Sequence, residues 1–290
     1  MRRAGAILAV LAGALAVVGV TGCVALADGF PFSVRDASGT MVTIAAPPRR
    51  IISLAPSVTE ILFALGLDRM IVGISDADDY PPDRVQTKER VGGVLISLER
   101  VVSLRPDLVV GMPSLQRDHL TKLRTLRLPV LAVDASSIEE TAAQIRLLGR
   151  ATDRLREAED LASSIERRAQ VVRPGPRRSV YIEVWNEPVL VAGGNTLIHD
   201  LVRRTGGANI FEDQHGYVQV PQETILTRNP QVILLLYPGR DSLMARPGWR
   251  GTAAVREGRV YELPPSLVTR PGPRIADGLA LVARLLASAR

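Results

Sequence analysis

Short apolar runs rich in β-branched residues recur through the first half of the chain, and segments with helical spacing separate them. The runs lie at residues 50–54, 70–74, 108–110 and 130–133. Buried parallel strands are continuous apolar runs of this length, and helical segments between them are typical of crossover connections. The pattern therefore predicts a parallel α/β lobe at residues 49–136.

The same alternation begins again after residues 173–176, where two prolines and a glycine interrupt the chain. Strand-like runs at residues 180–184, 232–236 and 260–263 alternate with helical segments, which include residues 197–205 and 275–289. A second lobe of the same class is therefore predicted at residues 177–290. The predicted fold class is α/β with two Rossmann-like lobes.

The segment between the lobes, residues 137–173, has a helical pattern. It has no proline from Ser137 to Val172, Gly149 is its only glycine there, and its apolar residues recur with an approximately helical period. This pattern predicts one or two long helices. A single helix of about 30 residues would be roughly 45 Å long, so we expect a long rigid linking helix that spans both lobes.

Two segments carry the capping-box pattern, in which a serine precedes a glutamate by three residues at the start of a helix. The pairs are Ser57 with Glu60 and Ser137 with Glu140. Each pair predicts the first turn of a helix, one after the first strand and one at the start of the linking segment.

A segment of the first lobe returns in altered form in the second. Glu99 matches Glu223 and Pro106 matches Pro230, both at a separation of 124 residues (223 − 99 and 230 − 106). In each copy the glutamate lies near the start of a short amphipathic helix, the proline ends the helix, and an apolar strand follows. The repeat suggests two lobes of similar architecture, each with one acidic helix start. The alternative is that such units are common in α/β proteins, where acidic residues favour helix N-termini.

The beginning of the chain has the pattern of an export signal. Two arginines precede an uncharged run at residues 4–20, and small residues lead to Cys23, the only cysteine. This resembles the bacterial lipobox, so residues 1–22 are predicted to be a lipoprotein signal peptide and Cys23 the lipidated residue. Cleavage after Ala27 is the alternative. Residues 23–48 then form a tether and a small hairpin, with strands at residues 32–36 and 41–44.

Composition and motifs exclude several functions. The chain has 36 basic and 30 acidic residues, and its arginines are interspersed with acids, so no basic stripe predicts a nucleic-acid partner. The sequence has no nucleophile elbow, dinucleotide or phosphate loop, or zinc-protease motif. His119, His199 and His215 have no metal-ligand spacing. We predict no catalytic residue, metal or cofactor. An exported α/β hydrolase and a structural or adhesive surface lipoprotein are the alternatives from other classes.

Aromatic residues stand in segments that look like loops. Tyr80, Trp185, Tyr217 and Trp249 lie among prolines, glycines and polar residues in a chain that is only 4% aromatic. Ligands of parallel α/β sheets bind at the loops after the strands, where tyrosine and tryptophan offer apolar area and a hydrogen-bonding group. For each of these residues, a role in ligand binding and a structural role in covering a loop are equally good explanations.

The order of motifs over residues 49–289 resembles the substrate-binding proteins of ABC importers whose two lobes are joined by a long rigid helix. The segments that carry the resemblance are residues 50–60, 72–75, 79–82, 97–100, 105–110, 206–211 and 270–275. Members of this class capture cobalamin, haem, ferric siderophores or metal ions. The segment at residues 79–82 and the spacing around Gln219 and Val220 are most similar to the cobalamin-binding branch.

The resemblance implies partners and a location. Such a protein is not an enzyme: it is a monomer that works with an ABC permease and its ATPase subunits, in the periplasm or on the outer face of the cytoplasmic membrane. In the cobalamin branch each lobe carries a glutamate that meets arginines of the permease, and the matching residues are Glu99 and Glu223. The linking helix implies little closure of the lobes when ligand binds.

The resemblance also implies a ligand-binding set, which is Tyr80, Met112, Trp185, Leu190, Tyr217 and Arg270. Tyr80 and Tyr217 match tyrosine or aromatic positions of the cobalamin branch. The chain departs from it at Ala77, Val94 and Met112, where aromatics are usual, and at Leu190. Cobalamin or a related corrinoid is the first expectation, and haem or a ferric siderophore the second.

The alternative ligands imply other residues of the same cleft. Haem binders of this class supply an axial tyrosine or histidine, for which Tyr80, Tyr217 and His215 are the candidates. Anionic ferric siderophores need cleft arginines, for which Arg270 and Arg274 are the candidates.

Overall fold

The computed structural model describes residues 29–93 and 95–288. The predicted signal peptide, Cys23, the alternative cleavage site after Ala27, and Val94 lie outside the described residues. Within the described part of the chain, no helix is long and apolar enough to cross a membrane.

The first lobe is a five-stranded sheet in which every neighbouring pair of strands is parallel, as predicted. Its order is β5-β4-β3-β6-β7, preceded by a separate antiparallel hairpin of β1 and β2. The strands are β1 (Phe32–Arg35), β2 (Met41–Ile44), β3 (Ile51–Ser53), β4 (Ile71–Ile74), β5 (Glu89–Arg90), β6 (Leu108–Gly111) and β7 (Val130–Ala132). The helices are α1 (Pro56–Ala64), α2 (Pro82–Val85), α3 (Leu98–Ser103) and α4 (Pro113–Thr125).

A buried carboxylate fastens the hairpin to this lobe. Asp36 accepts hydrogen bonds from the backbone amides of Ser38, Thr40 and Ala132, and from the Ser38 hydroxyl. Its second oxygen also lies 2.5 Å from the Arg124 guanidinium of α4. The hairpin is therefore held to both the last strand and the last helix of the lobe.

The connection between the lobes consists of two helices, α5 (Ile138–Thr152) and α6 (Leu155–Gln170). Asp153 adopts a left-handed conformation (φ 57°) that ends α5, and α6 then folds back along it. Arg146 of α5 pairs with both Glu159 and Glu166 of α6, which requires the two helices to lie side by side. The fold class is confirmed, but the single continuous helix of 45 Å is not observed.

The second lobe has a mixed sheet of order β11-β9-β8-β12-β13, with β10 also paired to β8. The pairs β8–β9 and β9–β11 are antiparallel, and the other pairs are parallel. The strands are β8 (Arg178–Asn186), β9 (Val189–Ala192), β10 (Gly207–Asn209), β11 (Tyr217–Gln219), β12 (Val232–Leu235) and β13 (Val260–Glu262). The helices are α7 (Leu197–Arg204), α8 (Gln222–Arg228), α9 (Arg240–Ala245), α10 (Ala253–Arg256), α11 (Pro265–Val268) and α12 (Ile275–Ser288).

One apolar core runs through both lobes and the connecting helices. Ile51 of the first sheet, Ile145 of α5, Ala162 of α6 and Val180 of the second sheet are all buried in the same cluster. Because the lobes share a core, they are packed against each other and not merely tethered.

The sequence repeat corresponds to a structural repeat. In each lobe a short helix, α3 or α8, runs into a proline and then into the fourth strand of the sheet order, β6 or β12. Glu99 and Glu223 each occupy the second residue of their helix. The two lobes therefore place equivalent carboxylates at equivalent positions.

One of the two predicted capping boxes is absent. Ser137 caps α5 by accepting a hydrogen bond from the Glu140 amide. In contrast, α1 begins after Ala55, and no side chain caps it. Pro56 occupies the first turn of α1, where it needs no amide partner. Glu60 is instead buried and pairs with residues of the second lobe.

Candidate ligand-binding cleft

A cleft of about 630 Å³ lies between the two lobes, and its lining is mainly apolar. The first lobe supplies residues 55–57, Ala77, 112, 114–115 and 134–136. The second lobe supplies Val184, 195–197, 216–217, Leu236, Pro265 and 269–271. The volume falls within the range of small-molecule sites, which are concave and mostly apolar with a few polar groups.

The topology explains why these residues meet. The first-lobe residues follow the carboxyl ends of β3, β4, β6 and β7, which lie at one edge of a parallel sheet. Loops at this edge form the binding crevice of open α/β sheets. In the second lobe, Leu236 follows the carboxyl end of β12. The carboxyl edges of the two sheets therefore face each other across the cleft.

Three members of the predicted ligand-binding set line the cleft: Met112, Tyr217 and Arg270. Tyr217 lies on β11 and exposes 46% of its surface. Met112 is buried, and its sulfur accepts a hydrogen bond from the Ser57 hydroxyl at 3.4 Å. Ala77, which stands where the cobalamin branch has an aromatic residue, lines the cleft as well.

Three other members of the set lie outside the cleft lining. Tyr80 is exposed, and the Arg274 guanidinium lies 4.0 Å from the centre of its ring. Trp185 and Leu190 are opposite each other in the β8–β9 hairpin. Trp185 was predicted to lie in a loop, but it belongs to β8. The structure therefore does not bring these three side chains together with the cleft residues.

The histidines and Trp249 also have positions away from the lining. The Nδ1 atom of His215 forms a hydrogen bond of 3.1 Å with the side-chain amide of Asn195. His199 is partly buried, and this burial lowers its pKa. Trp249 is fully buried in the second lobe. Within the described residues, histidine, cysteine, aspartate and glutamate form no group of three that fits a metal ion.

Four charged side chains connect the lobes beside the cleft: Glu60, Asp79, Arg270 and Arg274, here named the interlobe ion cluster. Glu60 of α1 accepts hydrogen bonds from Arg274 at 2.6 and 2.8 Å and from Arg270 at 3.1 Å. Arg270 also donates to Asp79 at 2.5 and 3.1 Å. Both arginines follow α11 in the second lobe, so the cluster joins the two lobes directly.

The charges of this cluster stabilise one another. The hydrogen bond from Arg270 holds the pKa of Asp79 below its usual value, and the hydrogen bond to Glu60 raises the pKa of Arg274. Two carboxylates thus balance two guanidinium groups. The arginines that a ferric siderophore needs are therefore already engaged by carboxylates of the protein.

Sequence reasoning missed Glu60 and most of the small polar residues in the cleft, among them Ser57, Ser114, Asn195 and Thr196. Glu60 looked like a helix cap, and its partners lie 210 and 214 residues away. The position of each polar residue just after a strand or just before a helix is the only local signal that marks it.

The docking candidates Glu99 and Glu223 are exposed, and neither has an ion-pair partner among the residues that the structure describes. A helix that precedes a parallel strand runs opposite to it, so its N-terminus lies at the carboxyl end of the strand. Both glutamates are therefore at the edge of their sheets that faces the cleft opening.

A profile of the family described as "periplasmic binding protein" matches residues 51–267 of the chain. The chain belongs to this family. An uncharacterized ABC transporter substrate-binding lipoprotein of Bacillus subtilis is 35% identical over 263 residues, which cover 86% of this chain and 83% of the relative. This binding protein is thus a substrate-binding component of an ABC importer and not an enzyme.

Two solved structures extend the likeness to the fold of this binding protein. The periplasmic vitamin B12-binding protein of Vibrio cholerae has a TM-score of 0.77 at 29% identity, with 84% of this chain and 98% of that chain covered. The periplasmic haem-binding protein of Roseiflexus sp. has a TM-score of 0.73 at 26% identity, with 83% and 98% covered. The resemblance to cobalamin-binding and haem-binding proteins is therefore confirmed.

Proposed function

We propose that this protein captures cobalamin or a related corrinoid in the interlobe cleft and delivers it to an ABC permease. It is exported and acts in the periplasm or at the outer face of the cytoplasmic membrane, as a monomer anchored through a lipid on Cys23. Glu99 and Glu223 each contact the permease, which works with its ATPase subunits.

The observation that carries the corrinoid proposal is the combination of a mainly apolar cleft with arginines that are already paired. A corrinoid is a large macrocycle with neutral amide side chains, so it needs apolar area and scattered hydrogen-bonding groups. The apolar area comes from Met112, Ala77 and Tyr217. The hydrogen-bonding groups are the hydroxyl of Ser57 and the amide of Asn195. The B12-binding relative of Vibrio cholerae, 29% identical over 251 residues, supports the same proposal.

Haem is the second candidate because the Tyr217 side chain reaches the cleft. A phenolate oxygen can serve as an axial ligand of haem iron. A ferric siderophore is less well supported because Arg270 and Arg274 already pair with Glu60 and Asp79.

The deciding experiment is calorimetric titration of the purified protein with cyanocobalamin, haemin and the anionic siderophore ferric enterobactin in parallel. Tight one-to-one binding of cyanocobalamin is expected. Binding of haemin or ferric enterobactin alone would refute the corrinoid proposal while leaving the importer function intact.

The Tyr217 variants distinguish packing from iron ligation. Tyr217→Ala is expected to weaken cyanocobalamin binding about tenfold, because it removes an aromatic face from the cleft. Tyr217→Phe keeps the ring, so corrinoid affinity should change little. If haem were bound through the phenolate, Tyr217→Phe would instead alter the haem absorption spectrum.

A further inference from the structure

Trp185 lies near the turn of the β8–β9 hairpin and exposes 54% of its surface. Its indole N–H donates to the Glu187 carbonyl at 3.0 Å, and its ring centre is 6.3 Å from that of Tyr237. The neighbouring Val184 lines the cleft, whereas Tyr237 packs in the apolar cluster that includes residues of α8 and α9. Trp185 is therefore displayed on the side of the second lobe that carries Glu223.

A buried network fixes the ring on which Trp185 rests. Glu183 is fully buried and accepts hydrogen bonds from the hydroxyls of Tyr181 and Tyr237. Arg246 donates to both oxygens of Glu183, at 2.7 and 2.9 Å. The Tyr237 ring is thus held in place, and a rigid support reduces the ordering cost when an exposed aromatic side chain meets a partner.

A chain of contacts leads from Trp185 to the helix that carries Glu223. Arg246, which contacts Tyr237, is followed by Pro247, whose carbonyl accepts a hydrogen bond from the Gln222 side chain at 3.1 Å. Gln222 is the first residue of α8, and Glu223 is the second. The hairpin surface, defined as Trp185 and Glu187, is therefore linked to the proposed docking helix through Tyr237, Arg246 and Pro247.

The charges of this surface fit a basic partner. Glu187 and Glu223 are exposed, and neither forms an ion pair within the described part of the chain. Arg240 and Asp241, adjacent at the start of α9, add no net charge. An arginine side chain stacks on an indole and pairs with a neighbouring carboxylate, so the exposed Trp185 beside the unpaired Glu187 fits a guanidinium group.

We infer that the hairpin surface extends the docking surface of the second lobe, and that Trp185 and Glu187 contact an arginine on the extracytoplasmic face of the permease. This inference rests on the proposed function. It assigns Trp185 to the permease and not to the ligand. Exposed, well-supported tryptophans are typical anchor residues of protein interfaces.

The test combines two measurements on Trp185→Ala in the full chain. Calorimetry gives the affinity for cyanocobalamin, and uptake of radiolabelled cyanocobalamin is measured in native cells whose own copy carries the variant. Uptake is expected to fall about fivefold or more, as for loss of an interface anchor, with affinity within about twofold of the original. Trp185→Phe should retain most of the uptake.

Leu126→Ala is the matched control. Leu126 exposes 50% of its surface and follows α4, which begins at the cleft and runs away from it. This variant should change neither affinity nor uptake. Thermal melting of each variant checks that the fold is intact.

Three outcomes would overturn the inference. A tenfold loss of ligand affinity in Trp185→Ala would place the indole against the ligand, and unchanged uptake would leave it without a role in docking. Self-association that Trp185→Ala abolishes would assign the surface to a second copy of the chain.

The inference is tested separately from the corrinoid proposal. If the original protein binds haemin or ferric enterobactin and not cyanocobalamin, both measurements use that compound and decide the role of Trp185 in the same way. The corrinoid proposal then fails. The docking inference is still tested by comparing the effect of Trp185→Ala on uptake with its effect on ligand affinity.

Discussion

The two lobes share a repeated helix–proline–strand unit but differ in what surrounds it. The first sheet is entirely parallel, whereas the second contains the antiparallel strands β9 and β11. Those two strands carry or border Tyr217 and Trp185, the aromatic side chains exposed on the second lobe. The shared unit therefore places the two glutamates that are proposed to dock, and the added antiparallel strands display the aromatic residues.

The lobes also differ in how they bury a charge. Asp36 in the first lobe and Glu183 in the second both have fully buried side chains, and each pairs with one arginine. Asp36 has four further hydrogen-bond donors, three of them backbone amides. Apart from Arg246, the side-chain oxygens of Glu183 accept hydrogen bonds from two tyrosine hydroxyls. The second lobe therefore depends more on its ion pair.

The largest effect is expected when both equivalent glutamates are reversed. Glu99→Lys with Glu223→Lys should abolish uptake while leaving cyanocobalamin affinity nearly unchanged, because both residues are exposed and neither lines the cleft. Uptake by cells and calorimetry on the purified variant measure the two quantities. The single reversals show whether the lobes contribute equally. Normal uptake by the double variant would contradict the docking role.

The two buried ion pairs should differ in their contribution to stability. Arg246→Ala leaves Glu183 buried with two hydroxyl donors and should lower the free energy of unfolding by about 3–5 kcal/mol. Arg124→Ala leaves Asp36 with four donors and should lower it by only about 1–2 kcal/mol. Urea unfolding of both variants gives the comparison. Equal losses would show that the remaining donors do not compensate for the missing charge.

Asp78 in the first lobe gives a pH-dependent effect of intermediate size. It is 4% exposed, and burial raises its pKa to about 6. Near pH 3 the carboxyl is protonated in both the folded and the unfolded state. Between about pH 4 and 6 the unfolded state ionises while the buried carboxyl of the folded state stays protonated, so stability is lost as the pH rises and the loss is complete above the folded pKa of about 6. Asp78→Asn should therefore gain roughly 3 kcal/mol at pH 8 and nothing near pH 3.

Urea unfolding at several pH values measures this gain. Asp76→Asn is the matched control, because Asp76 is two residues away and exposed. A gain of equal size at low and high pH would show that ionisation of Asp78 is not its source.

The smallest effect concerns movement of one lobe against the other. The interlobe ion cluster, the shared core and the paired helices α5 and α6 all oppose separation or closure of the lobes. Small-angle scattering with and without cyanocobalamin should give the same radius of gyration. A clear decrease on binding would show that these contacts yield to the ligand.

The parallel first lobe was predictable because its strands are uninterrupted apolar runs between clear helix and turn signals. The strands β9, β10 and β11 were missed because they have only three or four residues, and two of them contain polar residues. The linking segment was predicted as helical, but the left-handed turn at Asp153 carries no glycine or proline signal.

The site was only partly predictable for a related reason. Met112 follows a predicted strand, Tyr217 stood out as an aromatic residue in a polar segment, and the structure places both in the cleft. Trp185 lies one residue from the cleft-lining Val184, so only the alternation of faces in a strand separates their roles. The partners of Glu60 are more than 200 residues away and cannot be inferred from local spacing.

The equivalent placement of Glu99 and Glu223 has a consequence for selectivity. Each glutamate is fixed to its own sheet by a short helix, so the distance between the two carboxylates depends only on how far apart the lobes lie. Under the docking proposal, a compound too large for the cleft would widen this distance, and the two carboxylates would no longer fit their contact sites on the permease. Ligand size would then affect two steps, capture by the cleft and delivery to the permease.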